Sequence, residues 1–167
     1  MHRVGSFAVF TIVILAGLMQ AAGFEYINLL GIKPDLLLII VVFFSLSCSI
    51  DAAIKSALAA GLIKDITSSL TLGSYTIAFL LLAIFLNYQQ RRFFIERVST
   101  QALITFAFYF GTAVLALSIN FLSVKTAFPD YSFMEVIFKA AIYTGIISPV
   151  IFFILSRILR IRLAYSL

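Results

Sequence analysis

A chain of 167 residues that is 63% apolar and 11% charged, with a mean hydropathy of +1.14, has too few polar side chains to coat a water-soluble globule. Soluble domains carry about 25% charged residues. There is no length left for a soluble domain beside the apolar segments, so residues 1–167 read as one integral membrane domain. The net charge of +5 sits at the edges of apolar runs, which points to anionic lipid as a partner and away from nucleic acid.

The charge-free runs are Val4–Phe24, Leu36–Ile50, Ile66–Gln90, Val98–Val124 and Ala140–Ser156. A hydrocarbon core of ~30 Å needs ~20 apolar residues at ~1.5 Å rise each. The expected fold class is all-α, a polytopic bundle of six transmembrane helices. The first helix is expected over Gly5–Gly23. Arg3 before it and Ala21-Ala22-Gly23 after it have the look of a signal peptide, but the run exceeds the ~7–15 residues of a signal core, so it is read as an uncleaved span.

The second helix is expected to open at Lys33-Pro34-Asp35. Proline fits the first helical turn, where its missing N–H has no partner to lose. Asp35 then faces the positive end of the helix dipole. The third helix, Asp51–Ile66, is more polar, with Lys55 near its start and Lys64-Asp65 near its end. Ala53, Ala57 and Gly61 form a small-residue stripe, and Ala52, Ser56 and Ala60 a second. Such stripes let helix backbones approach closely in lipid. The second and third helices are therefore expected to make the tightest internal contact, as a hairpin.

Residues 67–74 read as a turn containing Gly73, with Ser74 as cap of a fourth helix over Tyr75–Gln90. The fifth helix is expected over Thr100–Ser123. Ser132-Phe133-Met134-Glu135 has capping-box spacing and should open the sixth. Pro149 should free the carbonyl of Gly145 and kink it.

The basic residues set the orientation. With six spans and both the N- and C-termini cytoplasmic, every arginine falls inside: Arg3, Arg91, Arg92, Arg97, Arg157, Arg160 and Arg162. Lys55 joins them, while Lys33, Lys64, Lys125 and Lys139 fall outside with most of the acids. Arg91, Arg92, Arg157, Arg160 and Arg162 are read as lipid-headgroup or cytoplasmic anchors. Making the third helix non-spanning destroys this segregation.

A search for chemistry returns little. His2 is the single histidine and sits at the N-terminal end, which argues against a histidine-based catalytic pair or metal site. No nucleophile elbow, zinc-protease motif or phosphate loop occurs. No catalytic residue, cofactor or metal ligand is therefore assigned, and the chain is read as a non-enzyme. Cys48 is single, so no intrachain disulfide forms. Intramembrane polar residues mark function most often. The candidates are Lys55, read as snorkelling, and Asn87 and Asn120, read as hydrogen-bonded caps near helix ends.

The order of motifs resembles a known family. Lys33-Pro34-Asp35-Leu36-Leu37-Leu38-Ile39-Ile40 is followed by Ala59-Ala60-Gly61-Leu62-Ile63-Lys64-Asp65, then Leu72-Gly73-Ser74-Tyr75-Thr76-Ile77-Ala78-Phe79, then Arg91-Arg92. This is similar to MreD, the rod shape-determining membrane protein of bacteria. The likeness is clearest over residues 31–92, and Pro34, Asp35, Gly61, Asp65 and Gly73 carry it. Ser47-Cys48-Ser49 departs from the family pattern. The resemblance implies a multi-pass scaffold subunit of the cell-elongation complex, the elongasome of peptidoglycan synthesis, in the cell inner membrane. It implies an MreC-like single-span partner and, through that partner, a RodA-type glycosyltransferase, a class B penicillin-binding protein and MreB. The family's fold resembles the substrate-binding subunits of energy-coupling-factor transporters. A transporter-like subunit for a small molecule is thus the alternative reading, and a homo-oligomer is compatible with either.

Overall fold

A helix with no polar face has to be surrounded on all sides. The segment Leu37–Leu46 is such a helix, and every one of its residues is buried. It forms most of α2 (Leu36–Ser47), the central element of the computed structural model. That structure describes residues 5–22, 33–68, 70–90, 97–124 and 131–159, and describes no side chain for 124 and 131–133. Around α2 stand α1 (Ser6–Ala21), α3 (Ile50–Thr67), α4 (Ser74–Gln89), α5 (Val98–Val124) and α6 (Tyr131–Ile158), each in contact with it. The neighbours run α1–α3–α4–α5–α6. Among the described residues α6 does not return to touch α1, so the ring around α2 is open on one side. The described elements are all helical.

The helices end where local chemistry stops them. The apolar run suggested that α2 would continue to Ile50, but it stops at Ser47 because Cys48 turns extended. Asn87 of α4 donates to the carbonyls of Ser45 (2.8 Å) and Cys48 (3.2 Å), satisfying groups that the helix end leaves open. Asn87 is thus a cap for a neighbouring helix. Lys55 donates to Ser6 Oγ at 2.7 Å, tying α3 to the start of α1. Pro149 lies inside α6 without breaking it. The hydroxyl of Ser148 donates to the Gly145 carbonyl at 2.8 Å, the group that Pro149 leaves without its usual donor. The α6 helix begins at Tyr131, ahead of the expected capping box, whose first two side chains lie outside the described set.

The small residues of α3 are buried, but the helix's main neighbour is not the expected one. Among the described helices α3 packs most extensively against α4, not α2. A Cβ placed on Gly61 would lie 2.5 Å from Thr76 Cα, so the two backbones meet at this glycine. Gly61→Ala should therefore destabilise the bundle by about 1–3 kcal/mol, the range for overpacking a well-filled contact, and Gly61→Leu by more. Thermal unfolding in mild detergent checks this. A Gly61→Ala variant that melts with the native protein would show that the α3–α4 contact can open without loss.

The outside of the bundle is apolar. Leu122 is 78% and Phe7 86% exposed. The α5 and α6 segments Val98–Ser123 and Met134–Ile158 have mean hydropathies of 2.0 and 1.9, and only 28% and 39% of their most apolar windows are buried. A core helix of a soluble protein would be mostly buried. These two have the length and composition of membrane spans. The helices α1, α2 and α4 are apolar but shorter.

Candidate functional site

Three charged residues from two helices converge at one end of the bundle. Asp35 precedes α2 as its N-cap, and Pro34 stands one residue further out, not in the first turn as expected. The Asp35 Oδ1 accepts the Leu38 N–H at 3.2 Å, the usual capping bond. Its own N–H donates to Thr144 Oγ1 of α6 at 3.2 Å. The other oxygen, Oδ2, forms an ion pair with Lys64 from the last turn of α3, and the two side chains are 5% and 15% exposed.

The Lys64 ammonium is turned toward aromatic rings. It lies 4.7 Å from the ring centroid of Tyr75 and 5.6 Å from those of Phe79 and Tyr109. The negative faces of aromatic rings attract a cation, most strongly where water is excluded. The lysine is thus held by one carboxylate from α2 and by rings from α4 and α5.

Asp65, the next residue, turns toward the start of α4. Its Oδ2 accepts from Gly73 N (2.9 Å), Thr76 N (3.1 Å) and Thr76 Oγ1 (2.6 Å), and its Oδ1 from Tyr75 N (2.8 Å). The first N–H groups of a helix lack intrahelical partners and carry the positive end of the dipole, so a carboxylate suits them. Gly73 is the N-cap of α4, with φ +97, a left-handed conformation that a Cβ disfavours. Ser74 is therefore the first helical residue and not the cap. Its hydroxyl lies 2.8 Å from Thr71 Oγ1, while Thr71 N and Oγ1 both donate to Asn120 Oδ1 of α5 at 3.1 and 3.2 Å. The α3–α4 connection is clamped from both sides.

Pro34, Asp35, Gly61, Asp65 and Gly73, singled out one by one in the sequence, therefore belong to one assembly that joins α2, α3, α4 and α6. Arg157 lies in the last turn of α6, exposed, with its guanidinium 5.3 Å from the Phe153 ring. Arg91, Arg92, Arg160 and Arg162 lie outside the described residues. Lys64 escaped the sequence search for intramembrane polar residues because it stood beside a presumed membrane edge. The detectable signal was its place one residue before Asp65, at the end of a helix otherwise built of small residues.

A cavity of about 130 Å³ adjoins the lysine, lined by Tyr75, Tyr109, Thr112, Ala113, Val136 and Ile137. Among the described residues no group of acidic, histidine and cysteine side chains has the arrangement of a metal site. The charges of the cluster are used inside it: Asp35 on Lys64 and a helix start, Asp65 on another helix start. This arrangement ties together α2, α3, α4, α5 and α6.

No curated protein and no solved structure matches the chain. The family model described as rod shape-determining protein MreD matches residues 1–161, nearly the whole length. The chain belongs to the MreD family of rod shape-determining membrane proteins.

Proposed function

We propose that this chain is a non-enzymatic scaffold subunit of the bacterial cell-elongation complex, embedded in the cytoplasmic membrane by six spans with both termini inside. It binds an MreC-like single-span protein and through it a RodA-type glycosyltransferase, a class B penicillin-binding protein and MreB. The family is one of shape-determining proteins and is not a known enzyme family. The family match over residues 1–161 carries the reading. The apolar exterior of α5 and α6 supports it, because a chain with so little polar surface acts on its surroundings mainly within the bilayer. Partner docking there has to come from packing and a few hydrogen bonds, since apolar burial gains little in lipid.

The cavity beside Lys64 favours a second reading, a membrane subunit that binds a small molecule. Affinity purification from native membranes in mild detergent separates the two. The scaffold reading expects an MreC-like protein to co-purify, and rounded cells when the chain is lost. A stoichiometric metabolite recovered without any partner would replace it with the second reading.

A further inference from the structure

The cavity beside Lys64 differs from the apolar exterior in having one polar wall. Its volume is about 130 Å³, and it runs along α5 from Tyr109, near the middle of that helix, to Leu117, nearer its C-terminal end. An ammonium carries three N–H donors, and the ion pair with Asp35 leaves part of the Lys64 group unspent. Tyr75 and Tyr109 line the same cavity, and neither phenol hydroxyl has a hydrogen-bond partner among the described residues. The remaining walls are apolar, at Ala113, Leu117 and Val136. Polar groups in a protein interior are normally satisfied, so this wall calls for an oxygen acceptor inside the cavity.

The charges restrict what carries that acceptor. Among the described residues, Asp35 is spent on Lys64, and Asp65 accepts its hydrogen bonds at the start of α4. A cation in the cavity would meet Lys64 with no spare carboxylate to offset it. An anion would compete with Asp35 for one ammonium, and an uncompensated charge away from water is costly. We propose that this cavity binds a small uncharged molecule whose hydroxyl or carbonyl oxygen accepts from Lys64 and Tyr109, and whose apolar body lies against Ala113, Leu117 and Val136. Water alone suits the site poorly, because an ordered water needs about two to four polar partners and the apolar walls offer none. An apolar cavity of about 150 Å³ in another protein holds benzene, so the occupant has about six non-hydrogen atoms. The proposal rests on the second reading above and names the chemistry of its ligand.

Probes of nearly one size separate the contributions. Cyclopentanone carries the oxygen, cyclopentane lacks it, cyclopropanecarboxylate is an anion and cyclopentylammonium a cation. The full-length chain, labelled with fluorotyrosine, is placed in phosphatidylcholine nanodiscs and titrated with each probe by fluorine NMR. The resonances are identified by replacing each tyrosine in turn with phenylalanine. Tyr88, 85% exposed and outside the cavity, reports simple partition into lipid. Cyclopentanone should give a saturable shift at Tyr75 and Tyr109 and none at Tyr88. It should bind about tenfold more tightly than cyclopentane, as a hydrogen bond to a charged donor implies. Ala113→Leu fills the cavity and leaves every charge in place, so it should abolish the saturable shift. Tyr109→Phe keeps the ring over Lys64 and removes a hydroxyl. It should weaken binding several-fold, read at Tyr75, and it tests the same contact if Ala113→Leu does not fold. Equal affinity for cyclopentanone and cyclopentane, binding unaffected by the substitutions, or a parallel shift at Tyr88 would overturn the proposal. Tighter binding of either charged probe would overturn the uncharged assignment and keep the small-molecule reading. The absence of saturable binding by every probe would overturn both.

Discussion

Asp65→Ala is expected to remove most of the folded protein from membranes. The substitution leaves three backbone N–H groups and the Thr76 hydroxyl without their acceptor. Each buried donor left unsatisfied costs about 1–3 kcal/mol, and the sum is comparable with the whole stability of many domains. Asp65→Asn should be intermediate. It keeps one oxygen but turns an NH₂ group toward donors and loses the charge that the α4 dipole favours. Fluorescence-detected size exclusion and thermal unfolding in mild detergent read both variants. An Asp65→Ala protein with native yield and melting temperature would mean that water replaces the carboxylate, and that the clamp does not hold the α3–α4 connection.

The second large effect concerns the Asp35–Lys64 pair, and it reverses a simple expectation from the sequence. As a dipole partner alone, Asp35 would tolerate Asn with a loss of ~0.3–1 kcal/mol. Because its carboxylate is paired and buried, removing either partner strands a charge, which costs about 3–5 kcal/mol. Lys64→Met should show this penalty, although methionine still packs favourably against Tyr75, Phe79 and Tyr109. The double variant Asp35→Asn/Lys64→Met should regain much of the stability. Asparagine remains a good N-cap, and no charge is left without a partner. A double-mutant cycle measures the coupling. Additive effects, within about 0.5 kcal/mol, would show that the two groups do not interact in the membrane-embedded protein.

These two predictions also divide what was legible in the sequence from what was not. The start of α2 was legible to within a few residues from the Lys33-Pro34-Asp35 stretch before an apolar run, but the sequence placed Pro34 and Asp35 inside the first turn, whereas Asp35 is the N-cap. The six helices were legible from the apolar runs between charge clusters. Asn87 and Asn120 were recognisable as hydrogen-bonding residues, but their partners were not. Asn87 serves the carbonyls of Ser45 and Cys48, and Asn120 serves Thr71, all on other elements. The Gly61 stripe was visible as a close-packing surface, yet it was assigned to the wrong neighbour. The helix α3 is adjacent in sequence to both α2 and α4, and the sequence did not say that Gly61 is turned toward Thr76 of α4.

The sequence by itself determined the class of the molecule, because a chain this poor in charge has no soluble solution. It also pointed to the number and order of the helices, through the spacing of charge clusters, and to the family, through the motifs around Asp35, Asp65 and Gly73. The tertiary structure alone decided that Lys64 turns inward under three rings, that Asp65 serves α4, and that the ring of helices stays open between α6 and α1. The reason is physical. In water, a helix announces its inner face by polarity, because its outer face must be hydrated. In lipid both faces are apolar, so hydropathy carries little information about rotation around the helix axis. That rotation is set by which side chains fit together, and the fit exists only once all the helices are in place.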